Sequence, residues 1–305
     1  MGPSAGRRAI RGGDCRRTDA PPAPPAATIG AHVTGRTIVI TGASDGIGAA
    51  AARDLAARGE RVIVIGRSPD KTVEVARGIG AEHLVADFAR LDEVRALAAA
   101  LIERTDHIDV LANNAGGVFG KRTLTVDGHE MTFQVNHLAP FLLTRLLMDR
   151  LRAAGTAKVV VTSSAANRYG RIDLVDLESA RRYTPTRAYG SSKLANILFA
   201  RGLHARHAAD GVAAVAFHPG TVATGFAAGS TSVFRWVYRT PLARFMLTSA
   251  EQGGGHLVHF VDGTPGVDWQ PGAYYDLRRR AAPNPQALDD RLVDALWQRS
   301  EAMVG

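Results

Sequence analysis

The sequence contains a single cysteine, Cys15, in 305 residues. That excludes an internal disulfide framework and any Cys-rich metal site, and it suits a reducing compartment. No apolar run approaches the roughly 18 residues that a membrane-spanning helix needs. Aromatic residues make up only 6% of the chain, and no basic stripe is interleaved with them, so nucleic acid is not an expected partner. The net charge of +8 is a modest excess for this length; Arg278, Arg279 and Arg280 form its densest cluster after the N-terminus and read as a solvated run. Residues 1–35 have no apolar stretch of the kind a secretory or twin-arginine signal carries, and position 6 is glycine, which leaves the myristoylation pattern incomplete. They are rich in Pro, Ala, Gly and Arg and are expected to be a disordered tail. A cytoplasmic location follows as the expectation.

From about residue 36 the pattern changes. Short Val/Ile-rich runs alternate with longer helical stretches, as βαβ units do. The runs are Thr37–Ile40, Arg61–Ile65, His83–Ala86, Ile108–Ala112, Lys158–Thr162, Val212–Phe217 and Ala273–Tyr275. Most do not alternate with polar residues, which predicts strands covered on both faces. The helical stretches are Ile47–Arg58, Leu91–Arg104, Gly128–Arg152, Thr186–His207 and Ala250–Phe260. Together they predict an α/β fold: a doubly wound, mostly parallel seven-stranded sheet in one domain over 36–305. Residues 222–247 break the alternation; with Phe226, Phe234 and Trp236 they read either as a substrate-covering segment or as an ordinary packed insertion.

The first strand runs into Thr41-Gly42-Ala43-Ser44-Asp45-Gly46-Ile47-Gly48 and then an Ala-rich helix. In the order strand, Gly loop, helix, such a motif cradles a pyrophosphate on a helix N-terminus: Gly42 for the tight turn, Gly46 for close approach of the backbone, Gly48 for helix–strand packing. Tyr189-Gly-Ser-Ser-Lys193 puts a phenol and an ammonium one turn apart on a helix face, and the ammonium favours the tyrosinate. It is the only Tyr-x-x-x-Lys in the chain. The fifth strand ends in Ser163-Ser164, at the sheet edge where open α/β folds bind ligands.

The spacing T-G-x-x-x-G-x-G, joined with the Tyr/Lys pair, resembles the short-chain dehydrogenase/reductase family, with a Rossmann fold over about residues 36–275. The resemblance implies catalytic roles for Tyr189, Lys193, Ser164 (rather than Ser163) and Asn136. It places Thr41, Gly42, Ser44, Asp45, Gly46, Ile47, Gly48, Arg67, Asp87, Phe88, Asn113, Ala115, Gly116, Pro219, Gly220 and Thr221, with Thr224 as a further candidate, around the cofactor, together with Tyr189 and Lys193. Arg67 after the second strand, with no acid at Gly66 or Ser68, points to NADP(H) over NAD(H), because an arginine can pair with the 2′-phosphate. Asp45 departs from that preference, since NADP-preferring relatives often carry a basic residue there. The stretches Phe133–Leu143 and Ala188–Phe199 resemble the retinol-dehydrogenase-like branch, and the chain is also similar to anthracycline (daunorubicin C-13) ketoreductases. The expected activity is hydride transfer between the nicotinamide and a ketone or secondary alcohol of a lipophilic or polyketide-like substrate. The expected partner is that small molecule; a homo-oligomer is open to it. The rival is a non-catalytic NADP-binding regulator on the same fold.

Overall fold

The computed structural model describes residues 1–2, 35–221 and 248–305. The expected substrate-covering segment, with Thr224, Phe226, Phe234 and Trp236, lies outside the described residues, as does nearly all of the expected tail. The described residues from Gly35 onward belong to one compact unit.

The strands are β1 (Thr37–Thr41), β2 (Arg61–Gly66), β3 (Glu82–Val85), β4 (Val110–Asn113), β5 (Ala157–Thr162), β6 (Val212–His218), β7 (Tyr274–Asp276) and β8 (Arg279–Arg280). They form one sheet in the order β3-β2-β1-β4-β5-β6-β7-β8. All seven expected strands are there and pair in parallel; β8 is an eighth, antiparallel to β7. The expected count of seven missed it because two arginines carry no strand pattern. The chain winds outward from β1 in both directions, so the crevice between β1 and β4 is the topological switch point.

Successive strand residues point to opposite faces, and both faces are covered. Val39, Ile63, Leu111, Val159 and Ala214 pack into one core. Ile38, Val62, Val110, Val160 and Val215 pack into the other. That two-sided burial explains why the strands read as unbroken apolar runs. One face is covered by α1 (Gly46–Ala57), α2 (Pro69–Ile79) and α8 (Ala250–Asp262). The other is covered by α3 (Leu91–Arg104), α5 (Ala139–Leu146), α7 (Pro185–His207) and α9 (Asp290–Val304).

The expected helix over Gly128–Arg152 is instead a broken series. Gly128 is a left-handed turn residue at φ +84. The helix begins with α4 (Met131–Phe133), capped by the Glu130 side chain on the N–H groups of Thr132 and Phe133. It widens into a π-helical turn over Gln134–Leu138, resumes as α5 and ends in α6 (Met148–Ala153). Pro140, near the start of α5, has no N–H to continue the preceding ladder. The helices α2 and α9 were not anticipated from the sequence.

Candidate active site

The carboxyl ends of β1, β4 and β5 are tied to one another by side chains. The Thr41 hydroxyl donates to the Ala112 carbonyl (3.2 Å) and accepts from the N–H groups of Asn114 and Ala115 (3.0 Å each). Asn114 donates from Nδ2 to the Thr41 carbonyl (3.0 Å) and accepts from the Thr162 hydroxyl (3.3 Å). Asn113, its neighbour, is buried and donates to the Thr144 hydroxyl of α5 at 2.8 Å. Of the two asparagines, it is therefore the Asn114 side chain that joins the strands.

The loop after β1 is built by close backbone contact. Gly42 sits at φ +65, and a Cβ there would lie 2.8 Å from Ala115 Cα. A Cβ on Gly48 would lie 2.5 Å from the Gly42 carbonyl oxygen, so only glycine lets α1 start this near the turn. Asp45 caps α1 by accepting from the Gly46 N–H at 2.7 Å. The N–H groups of Ile47 and Gly48 have no partner among the described residues. No acidic side chain lies in the first turn of α1. Free N–H groups at the positive end of the helix dipole form an anion site.

Asp45 does not face this site unopposed. Lys71, in the first turn of α2, reaches it at 3.0 Å. That contact, first among its causes, holds the Asp45 carboxyl below its ordinary range. Both side chains are largely exposed, so the pair contributes little to stability. Arg67 follows β2 directly, is exposed and forms no ion pair among the described residues. Asp87 accepts from the Ala89 N–H at 3.0 Å. Phe88 is buried in the hydrophobic core, and its carbonyl accepts from Gln134 Nε2 at 3.3 Å.

Helix α7 carries the Tyr/Lys pair, and each residue between them has a contact of its own. Tyr189 is half-buried, and Lys193 Nζ lies 5.8 Å from the centroid of its ring. Lys193 is 1% exposed and donates to the Thr162 carbonyl at 3.0 Å. Burial pushes its pKa down to about 7. Gly116 makes room for it: a Cβ there would lie 3.1 Å from Nζ and 2.9 Å from Asn136 Oδ1. Ser192 accepts from Asn136 Nδ2 at 2.9 Å. Asn136, in the π-helical turn, also clamps Gly117, accepting from its N–H (2.8 Å) and donating to its carbonyl (3.0 Å). Ser191 bonds Arg171 in both directions, to its N–H (3.1 Å) and its carbonyl (2.9 Å). Gly190 lets the segment after β5 lie directly on the helix: its Cβ would meet the Ala166 carbonyl oxygen at 2.7 Å.

The two serines after β5 have different surroundings. Ser163 is buried and donates to the Lys193 carbonyl at 2.7 Å, so its hydroxyl is spent on anchoring α7. Ser164 is half-buried, and its Oγ accepts from the Ala166 N–H at 3.2 Å, which leaves its own hydrogen to donate outward. Beyond β6, Pro219 is buried and Gly220 and Thr221 follow; the Thr221 carbonyl accepts from the Thr248 N–H at 2.9 Å. A cavity of about 560 Å³ lies elsewhere, among Ile197, His204, Tyr274 and Val293, and none of the expected site residues lines it. Among the described residues no group of His, Cys, Asp or Glu side chains is placed to hold a metal ion, and no helix is long and apolar enough to cross a membrane.

The chain is similar in sequence and fold to known proteins. Residues 36–232 match the short chain dehydrogenase family. A proposed daunorubicin C-13 ketoreductase, DnrU of Streptomyces sp. (strain C5), is 43% identical over 93% of this chain and 98% of its own length. Human retinol dehydrogenase 13 is 35% identical over 90% of this chain and 86% of its own length. Among solved structures, an uncharacterized protein from Mycobacterium paratuberculosis is 36% identical, covers 88% of this chain and 93% of its own, and superposes with a TM-score of 0.70. A loop shaped for an anion, a buried lysine one turn from a tyrosine and a match over most of the chain lead to one assignment: this chain belongs to the short chain dehydrogenase family, as an NAD(P)-dependent oxidoreductase acting on CH–OH and C=O groups.

Proposed function

We propose that the chain is an NADP(H)-dependent ketoreductase for a lipophilic or polyketide-like carbonyl compound. The observation that carries the reading is the Lys193 ammonium group, sunk in the core one turn from Tyr189. Tyr189 acts as general acid towards the carbonyl oxygen in reduction and as general base in oxidation. Lys193, in its charged form, favours the tyrosinate and so lowers the phenol pKa. Ser164 donates a hydrogen bond to the same carbonyl oxygen and offsets the charge developing there. Asn136, on a π-helical turn where the regular backbone ladder is interrupted, supports proton exchange between Lys193 and solvent.

The residues present fit the dinucleotide cofactor. The free N–H groups of Ile47 and Gly48 suit its pyrophosphate, and Gly42, Gly116 and Asn113–Ala115 border the same crevice. When bound, the nicotinamide supplies or accepts the hydride. Arg67, with no acid beside it, supports a preference for the 2′-phosphorylated form, and Lys71 is a second cation near the loop. The identity with DnrU and with retinol dehydrogenase 13 supports a lipophilic substrate.

The test is NADPH oxidation with a carbonyl panel that includes daunorubicin and retinaldehyde. Comparing kcat/KM for NADPH and NADH in the wild type and in Arg67→Ala decides the cofactor: the wild type should prefer NADPH and the variant should lose much of that preference. An unchanged ratio removes Arg67 from the site. Absence of turnover on every carbonyl, with NADPH bound normally, would favour the regulator.

A further inference from the structure

Ser164 lies on a stretch of chain with little regular structure. After β5 the backbone makes one 3₁₀ turn, Ala165–Tyr169, and then runs without a ladder to α7. A hydrogen-bond donor to a reacting carbonyl must nevertheless be held within a fraction of an ångström. One side of the stretch is docked on α7 through Gly190 and Ser191, as described above. The other side is held by a segment more than a hundred residues further along the chain.

The junction is Asn167, which is fully buried. Its backbone N–H and its Nδ2 both donate to the Ser164 carbonyl, at 3.0 and 2.7 Å. Its Oδ1 accepts from the backbone N–H of Asn284 at 2.9 Å. Asn284 answers with its side chain: Nδ2 donates to the carbonyls of Asn167 (3.2 Å) and Gly170 (2.9 Å). Its Oδ1 is fixed in turn by the Gln286 N–H at 3.0 Å. Gln286 then bonds both backbone groups of Ile172, accepting from the N–H at 2.9 Å and donating to the carbonyl at 3.0 Å. Gln286 thus bonds the bend with its side-chain donor and acceptor together, and Asn284 bonds it with its side-chain donor and its backbone N–H.

We propose that Asn284, acting through Asn167 and aided by Gln286, is a positioning residue for Ser164: the C-terminal segment sets where the serine hydroxyl meets the substrate carbonyl. The inference rests on the reading of Ser164 as that hydroxyl donor. An aspartate at 284 would keep the acceptor for Gln286 but turn a carboxylate oxygen towards two carbonyls. The segment would separate from the bend, and Ser164 would lose its register while α7, Tyr189 and Lys193 keep theirs.

The experiment is a double-mutant cycle of Ser164→Ala and Asn284→Asp, with kcat measured at saturating NADPH on the best carbonyl of the panel and NADPH affinity measured by fluorescence. Asn284→Asp should lower kcat on the order of 10- to 100-fold and leave NADPH affinity unchanged. It should lower kcat no further when Ser164 is already alanine, because coupled residues are non-additive. Losses that multiply in the double variant would mean a general structural role and overturn the proposal. A Ser164→Ala enzyme of normal kcat would overturn the reading of Ser164 and the inference with it. Hydrogen–deuterium exchange of residues 164–172 needs no substrate and separates the two failures: it should quicken in Asn284→Asp with exchange in α7 unchanged, and unaltered exchange refutes the clamp whatever Ser164 does. Should Asn284→Asp not fold, Asn284→Ala and Gln286→Ala carry the same cycle.

Discussion

Lys193 is almost completely buried, donates to the Thr162 carbonyl, and has its pKa lowered to about 7 by burial. In the unfolded chain the group titrates near its ordinary value of 10.5. Between those two values the unfolded chain holds the extra proton. The burial therefore costs stability increasingly as pH falls through that window, and the stability is fully present only above it. The proposed chemistry needs the charged ammonium, since only that form favours tyrosinate. A phosphorylated, anionic cofactor bound alongside would raise the lysine pKa again. At about pH 8, NADPH binding should accordingly take up a proton. Calorimetry in buffers of different ionisation enthalpy measures that uptake directly; Lys193→Met should abolish it, and binding heats independent of buffer would contradict the assignment. Tyr189→Phe keeps the ring and removes the hydroxyl that exchanges the proton. It should lower turnover by about 10²–10⁴-fold, the usual worth of general acid catalysis, while NADPH titrates normally. Retention of most activity would remove Tyr189 from the mechanism.

At the scale of elements, the approach of the Ser164 segment to α7 depends on two facing glycines. A Cβ on Gly170 would lie 2.3 Å from the Gly190 carbonyl oxygen, and one on Gly190 would lie 2.7 Å from the Ala166 carbonyl oxygen. Both obstacles are backbone, which cannot rotate away. Gly190→Ala gains about 1 kcal/mol of helix propensity but meets an overpacking penalty of typically 1–3 kcal/mol. It should be mildly destabilising in urea and lower kcat by pushing the serine off its helix, with NADPH affinity preserved; a kcat equal to wild type would show that the segment yields without cost. The sequence made the Tyr/Lys spacing and the Gly loop readable, because those contacts are local to one turn or one loop. It left Gly190 and Ser191 as unremarkable spacers, since their partners sit some twenty residues upstream. The strands were readable from their apolar runs, whereas the π-helical turn at Gln134–Leu138 has no periodic signature. For α2 a local signal existed, Pro69 at its start and a left-handed Gly80 at its end, but its buried face is only Thr72, Val75 and Ala76. The Asn284 clamp had no local signal at all.

Across the whole molecule, the C-terminal segment has two jobs that can be separated. Residues 284–286 bond the bend that carries Ser164, and α9 covers an apolar surface. That surface belongs to α5 and α7, where Phe141 and Phe199 lie edge to face with centroids 5.5 Å apart. Trp297 of α9 closes over them, 4.9 Å from Phe141 and 6.0 Å from Phe199, and the Arg206 guanidinium lies over its ring at 4.5 Å. Val293 and Leu296 complete the apolar stripe of the helix. His137 is enclosed in the same cluster; burial pushes its pKa down to about 4, so it stays neutral, with Nε2 bonded to Ser300 of α9 at 2.8 Å. The bonds that hold Lys193 and Ser164 run instead to Thr162 and Ala166, at and just after the end of β5. Trp297→Ala should therefore cost stability rather than catalysis, about 3–5 kcal/mol for a buried aromatic, read as a lower urea midpoint. The fraction that remains folded should keep the wild-type kcat. Asn284→Asp should show the reverse pattern, with kcat reduced and the midpoint moved far less. If Trp297→Ala instead lowered kcat in fully folded protein, the two jobs would be coupled through α7, and the cover and the site would have to be treated as one unit.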